Sequence, residues 1–169
     1  TAITDEKEFQ TKHFIDSVLP YKNFVNSKNV ADIGSGAGFP AIPLAIILPK
    51  VNFTLVDSLQ KRVNFLNNVI QTLGLENCRA VHSRAEDFAK EGREKYDAVT
   101  ARAVAALNIL LEYTAPLAKT GGTVLAYKGS GAIEEISAAE NAAKILGCRL
   151  ENTLEFYLPD GEKRLIPLY

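Results

Sequence analysis

The sequence predicts an α/β fold in which helices cover both faces of a mostly parallel central sheet. Three observations carry this expectation. Apolar strand-like runs alternate with amphipathic helical runs from Asn29 onward, the first strand runs into closely spaced glycines, and the last two strand-like runs are joined by a tight turn. The 169 residues suit one domain, 1–169, with 1–28 as an N-terminal helical segment packed on it.

Asp5–Leu19 reads as an amphipathic helix that offers Phe9, Phe14, Ile15 and Val18 for packing. Asn29–Ile33 is a short apolar strand. Phe39–Leu48 reads as a helix with Pro40 in its first turn, where the missing N–H costs nothing, and with Pro43 distorting the residues that follow. Asn52–Val56 is the second strand, with Asp57 at its carboxyl end. Leu59, Val63, Leu66, Ile70 and Leu73 then step by four and three along one helical face, and Gly74 suits the stop. Cys78–His82 and Tyr96–Ala101 are the third and fourth strands. Val104, Leu107, Leu111 and Thr114 mark a helix before Pro116 and the Gly121-Gly122 turn. Thr123–Lys128 is the fifth strand and Ile133–Leu146 a helix ended by Gly147. Arg149–Tyr157 and Arg164–Tyr169 pair as an antiparallel hairpin across Pro159-Asp160-Gly161-Glu162.

Hydrophobic residues at 47% and charged residues at 23% fit an ordinary globular chain rather than a disordered one. No apolar run approaches the roughly 20 residues needed to span a bilayer, and Thr1–Gln10 lacks the features of a secretory signal, so a cytoplasmic monomer is expected. Cys78 and Cys148 form no CxxC, and only His13 and His82 could complete a metal site, so both are expected to be buried, reduced thiols and no metal is expected. The chain holds no methionine, as a shortened form would. A net charge of −1 argues against a dedicated nucleic-acid binder unless cations gather locally.

The strongest signal is Ala31-Asp32-Ile33-Gly34-Ser35-Gly36-Ala37-Gly38-Phe39-Pro40. A strand running through glycines into a helix lets the backbone approach a nucleotide-like cofactor. No GK[ST] follows, which excludes a P-loop, and the third glycine comes two residues after the second instead of the three a dinucleotide fingerprint asks for. Asp32, just before the turn, suits the ammonium of S-adenosylmethionine and would repel a pyrophosphate. Asp57, about twenty residues on, is placed to accept ribose hydroxyls. The blander alternatives make Gly34, Gly36 and Gly38 a structural turn and Asp57 a cap for the helix from Leu59.

The chain resembles the bacterial small-subunit (16S) ribosomal RNA guanine-N7 methyltransferases, also called glucose-inhibited division protein B. The segments responsible are Lys12-His13-Phe14-Ile15-Asp16-Ser17, the run DIGSGAGFP, Val56–Leu66 (VDSLQKRVNFL), Ser83-Arg84-Ala85-Glu86, Ala101-Arg102-Ala103 and Lys128-Gly129. The resemblance implies a Rossmann-like methyltransferase that carries the methyl group from S-adenosylmethionine to N7 of one guanine in small-subunit rRNA or the 30S particle. It further implies that Gly34 and Phe39 touch the cofactor, Asp57 and Ser58 its ribose, and Ala85 and Glu86 its adenine side. Arg102 would stand between cofactor and target.

Guanine N7 has a lone pair and no proton, so alignment rather than a general base is needed. Neither cysteine follows a proline, as a pyrimidine-C5 enzyme would want, and no [DN]PP[YF] loop follows the fourth strand. Arg102 and Lys128, at the ends of the fourth and fifth strands, are the candidates for acting on the reaction. Each could instead pair with a carboxylate. Lys12, His13, Lys61, Arg62 and Arg84 could share their edge as a basic patch, while His13 and Asp16, three apart, could bond each other and pin the first helix. Two other classes stay open, namely methyl transfer to a small molecule or protein, and a non-catalytic cofactor sensor.

Overall fold

The computed structural model describes residues 5–129 and 131–169. Its sheet has seven strands in the order β3-β2-β1-β4-β5-β7-β6. β1 (Asn29–Ile33), β2 (Asn52–Asp57), β3 (Cys78–His82), β4 (Tyr96–Arg102) and β5 (Ala118–Tyr127) are parallel. β6 (Asn152–Tyr157) and β7 (Lys163–Leu168) form an antiparallel hairpin, and β7 adds antiparallel to β5. The expected parallel sheet with a terminal hairpin is what forms.

Alternation along β1 sends Ala31 and Ile33 to one face and Val30 and Asp32 to the other. On the first face they meet Phe88 of α5 (Ala85–Gly92), Leu107, Leu110 and Leu111 of α6 (Leu107–Thr114) and Ala139 of α7 (Ala132–Ile145). On the second, Val30 joins Ala41 and Leu44 of α3 (Ala41–Ile47) and Leu66 of α4 (Gln60–Leu73). α4 buries Val63 and Leu66 of its predicted apolar face, while Leu59, which precedes the helix, and Leu73, at its end, are exposed; Gly74 closes it in the left-handed conformation at φ 62°.

Several boundaries differ from the sequence expectation for local reasons. The N-terminal helix is not uniform. α1 (Glu6–Phe9) passes into a wider π-wound stretch, Gln10–Ile15, before α2 (Asp16–Val18). The helix expected from Val104 begins at Leu107, whose N–H donates to Glu135 of α7 at 2.8 Å. β5 starts at Ala118, because Gly121-Gly122 forms an irregularity inside the strand, where the register passes from Tyr96↔Ala118 to Ala98↔Thr123. α5 has only about two turns, too short for a helical repeat to show in its sequence. Cys78 and Cys148 are free but only partly buried.

Asn77 holds the end of α3 against the sheet. Its amide donates to the carbonyls of Ala45, Leu48 and Val51 at 2.9–3.2 Å. Asn77→Ala leaves those acceptors short of a partner, and equilibrium urea unfolding should show a loss of about 1–3 kcal/mol. No helix among the described residues is long and apolar enough to cross a membrane.

Candidate functional site

The strand order reverses between β1 and β4, and open α/β sheets take ligands beyond the carboxyl ends of their strands at such a point. The glycine turn leaves β1 here. Gly34 and Ser35 N–H groups donate to Val56 O at 2.8 and 3.1 Å, and Gly38 N–H donates to Ser35 O at 2.7 Å. Gly34 is required for two reasons. Its φ is +71°, and a Cβ there would lie 2.6 Å from Val104 Cγ2.

Two clefts meet at Gly34. The narrower is walled by Val56, Asp57, Ser58, Ala85, Glu86 and Val104. The wider, of about 640 Å³, runs past Gly36, Phe39, Leu59, Lys61, Arg62, Phe65 and Arg102. Thus Gly34, Asp57, Ser58, Ala85 and Glu86 share one cleft, and Gly36, Phe39 and Arg102 line its continuation. Gly38 lines neither. Its φ of +94° turns the chain toward α3, and a Cβ would stand 2.5 Å from Ile42 Cγ1.

Asp57 is buried yet richly bonded. One carboxylate oxygen accepts from Leu59 N at 2.9 Å, and the other from Gly36 N at 3.0 Å and from the Arg62 guanidinium at 3.3 Å. It therefore does the capping work and also ties the glycine turn to β2. A carboxylate offers roughly four lone-pair sites and three are taken, so acceptor capacity remains for about one ribose hydroxyl.

Asp32 is the opposite case. It is 1% exposed, and neither carboxylate oxygen has a partner. Burial pushes its carboxyl up to about 7. The Ser35 hydroxyl donates to its main-chain oxygen at 2.9 Å and leaves the carboxylate untouched. Asp32 is not a wall of either cleft; it lies beneath the turn that both share. An orphaned buried carboxylate at this point is chemically suited to a cationic group such as the ammonium of S-adenosylmethionine.

Arg102 leaves β4 and reaches the N-terminal helix. Its guanidinium donates to Asp16 Oδ2 at 3.1 Å, Lys12 O at 3.2 Å and His13 Nδ1 at 3.1 Å, and its carbon stands 5.4 Å from the centre of the Phe39 ring. Arg164 of β7 donates to the other Asp16 oxygen at 3.1 Å. His13 and Asp16 consequently meet through Arg102 and not directly. Because arginine only donates, His13 Nδ1 is the acceptor and its proton sits on Nε2, which is buried without a partner. Burial and the Arg102 charge both lower the His13 pKa, so the ring is neutral at pH 7. The next residue, Ala103, takes φ 55°, a strained value for a residue with a side chain.

Lys128 lines neither cleft. Its ammonium donates to Ala105 O at 2.6 Å and Glu135 at 2.7 Å, fastening the loop after β4 from behind. His13, Lys61, Arg62 and Arg102 do share the wider cleft, Arg84 lines the narrower one, and Lys12 pairs with Glu8 outside both. Val104, Tyr113, Leu59 and Phe65 are walls for which the sequence suggested no site role. Leu59 and Phe65 lie inside the VDSLQKRVNFL segment, the one sequence signal that points to them. Among the described residues no group of acids, histidines and cysteines is arranged to hold a metal ion.

The family described as rRNA small subunit methyltransferase G matches residues 1–164. The ribosomal RNA small subunit methyltransferase G of Desulfitobacterium hafniense (strain Y51) is 50% identical over 171 residues, covering 99% of this chain and 71% of that protein. The protein of the same name from Bacillus cytotoxicus is 49% identical over 166 residues, covering 96% of this chain and 70% of that protein. Among solved structures, a SAM dependent methyltransferase from Aquifex aeolicus superposes with a TM-score of 0.71 at 16% identity, covering 97% of this chain and 93% of that one. P. horikoshii TYW2 in complex with MeSAdo gives 0.74 at 18% identity, covering 92% and 61%. At such identities these two speak to the fold alone.

Proposed function

Because this chain belongs to the rRNA small subunit methyltransferase G family, we propose that it methylates N7 of a guanine in small-subunit rRNA, with the whole chain acting as one methyltransferase domain. It is an S-adenosylmethionine-dependent methyltransferase. The observation that carries the reading is the meeting of two clefts at Gly34, one lined by the cofactor residues of the family motif and the other by cations and aromatic rings.

When bound, S-adenosylmethionine supplies an activated methyl group on a sulfonium. The protein's share is placement. Asp57 and Ser58 hold the ribose, Ala85 and Glu86 flank the adenine, and Asp32 answers the ammonium from beneath the turn. Gly34 and Gly36 bring bare backbone against the cofactor, with Phe39 beside them. Arg102 stands at the border of the two clefts, and Lys128 keeps the loop after β4 in position. A ring nitrogen with a free lone pair needs no proton removed, so alignment alone can lower the barrier by roughly 7–11 kcal/mol.

The net charge of −1 favours a second reading, a small-molecule or protein substrate. The wider cleft answers it, since its walls include Lys61, Arg62 and Arg102 and no acidic side chain. Incubation with methyl-labelled cofactor and either 16S rRNA or 30S particles should place label in 7-methylguanosine, identified by mass spectrometry of the digested RNA. No label in either substrate defeats the proposal. In the same preparation Asp57→Ala should weaken cofactor binding by about 1–3 kcal/mol through lost charged hydrogen bonds. Unaltered affinity by calorimetry would put the ribose elsewhere.

A further inference from the structure

Phe65 is an anomaly on α4. The helix buries Val63 and Leu66, and most of its exposed residues are polar, Lys61, Arg62, Asn64 and Asn68 among them, yet Phe65 is 50% exposed. Core packing does not account for that ring. It lies in the wall of the wider cleft together with Lys61, Arg62 and Leu59. The carboxylates paired with its two arginines, Asp57 and Asp16, are only 2% and 4% exposed. What the cleft presents outward is therefore an apolar ring and cationic groups. That pairing suits a single strand of nucleic acid, whose bases offer flat faces and whose backbone is anionic. It suits a duplex poorly, because the major groove of an RNA helix, where guanine N7 lies, is too deep and narrow for side chains to read.

Resting on the rRNA reading above, we infer that the α4 wall of this cleft holds an unpaired stretch of the substrate RNA, with Phe65 stacked on a base and Lys61 and Arg62 facing the adjoining phosphates. The target segment reaches the enzyme already single-stranded or is opened on arrival. Phe65 is a positioning residue, since the atoms that exchange the methyl group lie at the glycine turn.

The test compares the parent protein, Phe65→Ala, Phe65→Tyr and Leu73→Ala for methylation of 16S rRNA and 30S particles, with cofactor affinity measured for each. Leu73 lies on the same helix, is 51% exposed and lines neither cleft, which makes it the matched control. Phe65→Ala should lower kcat/KM for RNA by roughly 5- to 150-fold, the value of one base–aromatic stack. The loss should fall on KM for RNA, with cofactor affinity unchanged and both Phe65→Tyr and Leu73→Ala close to the parent. Lys61→Gln should reduce the log–log salt slope of RNA binding by about 1. The inference is overturned if Phe65→Ala methylates RNA as well as the parent, if it loses cofactor affinity in parallel, or if Leu73→Ala is equally impaired. A parent protein inert toward rRNA would instead bring down the reading on which the inference rests, and the inference with it.

Discussion

Asp16→Ala should reduce the unfolding free energy by about 3–5 kcal/mol, the usual cost of removing one partner from a buried ion pair. Asp16 receives Arg102 on one oxygen and Arg164 on the other, each at 3.1 Å, and the arginine side chains are only 16% and 14% exposed. The triad joins three parts of the chain distant in sequence: the N-terminal helix, the end of β4 and the terminal hairpin. Its net contribution is smaller than the cost of breaking it. Burial raises the Asp16 pKa even against two guanidinium groups, so assembling the triad is itself expensive. The damage in the variant comes chiefly from Arg102, left poorly solvated without an anion, since Arg164 still pairs with Glu162 at 2.7 Å. Tyr127 adds an anchor, donating to Ser17 O at 2.8 Å, and should keep the variant folded. Urea denaturation of parent and variant checks the expectation, and a loss below about 1 kcal/mol would equate the triad with an exposed ion pair.

Asp32→Asn should do the reverse and stabilise the ligand-free protein above neutral pH. An unfolded Asp32 ionises near its ordinary 3.8, whereas in the fold burial delays ionisation to about 7. Between those values unfolding releases a proton, so the parent loses stability as pH rises, by up to about 1.4 kcal/mol per pH unit and about 4 kcal/mol in all. Asparagine has nothing to ionise. The variant's advantage should therefore be near zero at about pH 4, grow through the interval, and level off near about 4 kcal/mol by pH 8. Cofactor affinity should move the other way, because the amide cannot answer an ammonium with charge. Parallel unfolding curves at several pH values decide the matter; an advantage independent of pH would mean that the carboxyl is not buried in the free protein. An advantage that grows with pH as expected marks the residue proposed to face the ammonium as one that costs the fold stability until ligand arrives.

What could be read from sequence followed how local the cause was. The Leu59–Leu73 spacing and Gly74 define α4 within their own stretch, and β3 came out at Cys78–His82 as predicted. The glycine turn and Asp57 at the next strand end, each recognisable within its own stretch, line one cleft. Long-range partners could not be read. Nothing near Arg102 announces Asp16, 86 positions away, and nothing near Lys128 shows that Glu135 and Ala105 O would occupy it. Two residues proposed to act on the reaction are thereby seen to brace the site's frame. The start of β5 was obscured because Gly121-Gly122 signals a turn, and an irregularity within a strand uses the same residues. The partial exposure of both thiols also depends on packing that no neighbouring residue reveals.

The contact between Gly34 and Val104 has a bearing on redesign. Position 34 rejects any substituent twice over, once through backbone handedness and once through collision with the valine methyl. No substitution at position 34 can widen the narrower cleft, so any enlargement has to come from its other walls, Val104 among them. Trimming Val104 to alanine removes the obstructing methyl groups without asking the main chain to change course, so it is the adjustable screw in an otherwise fixed mount.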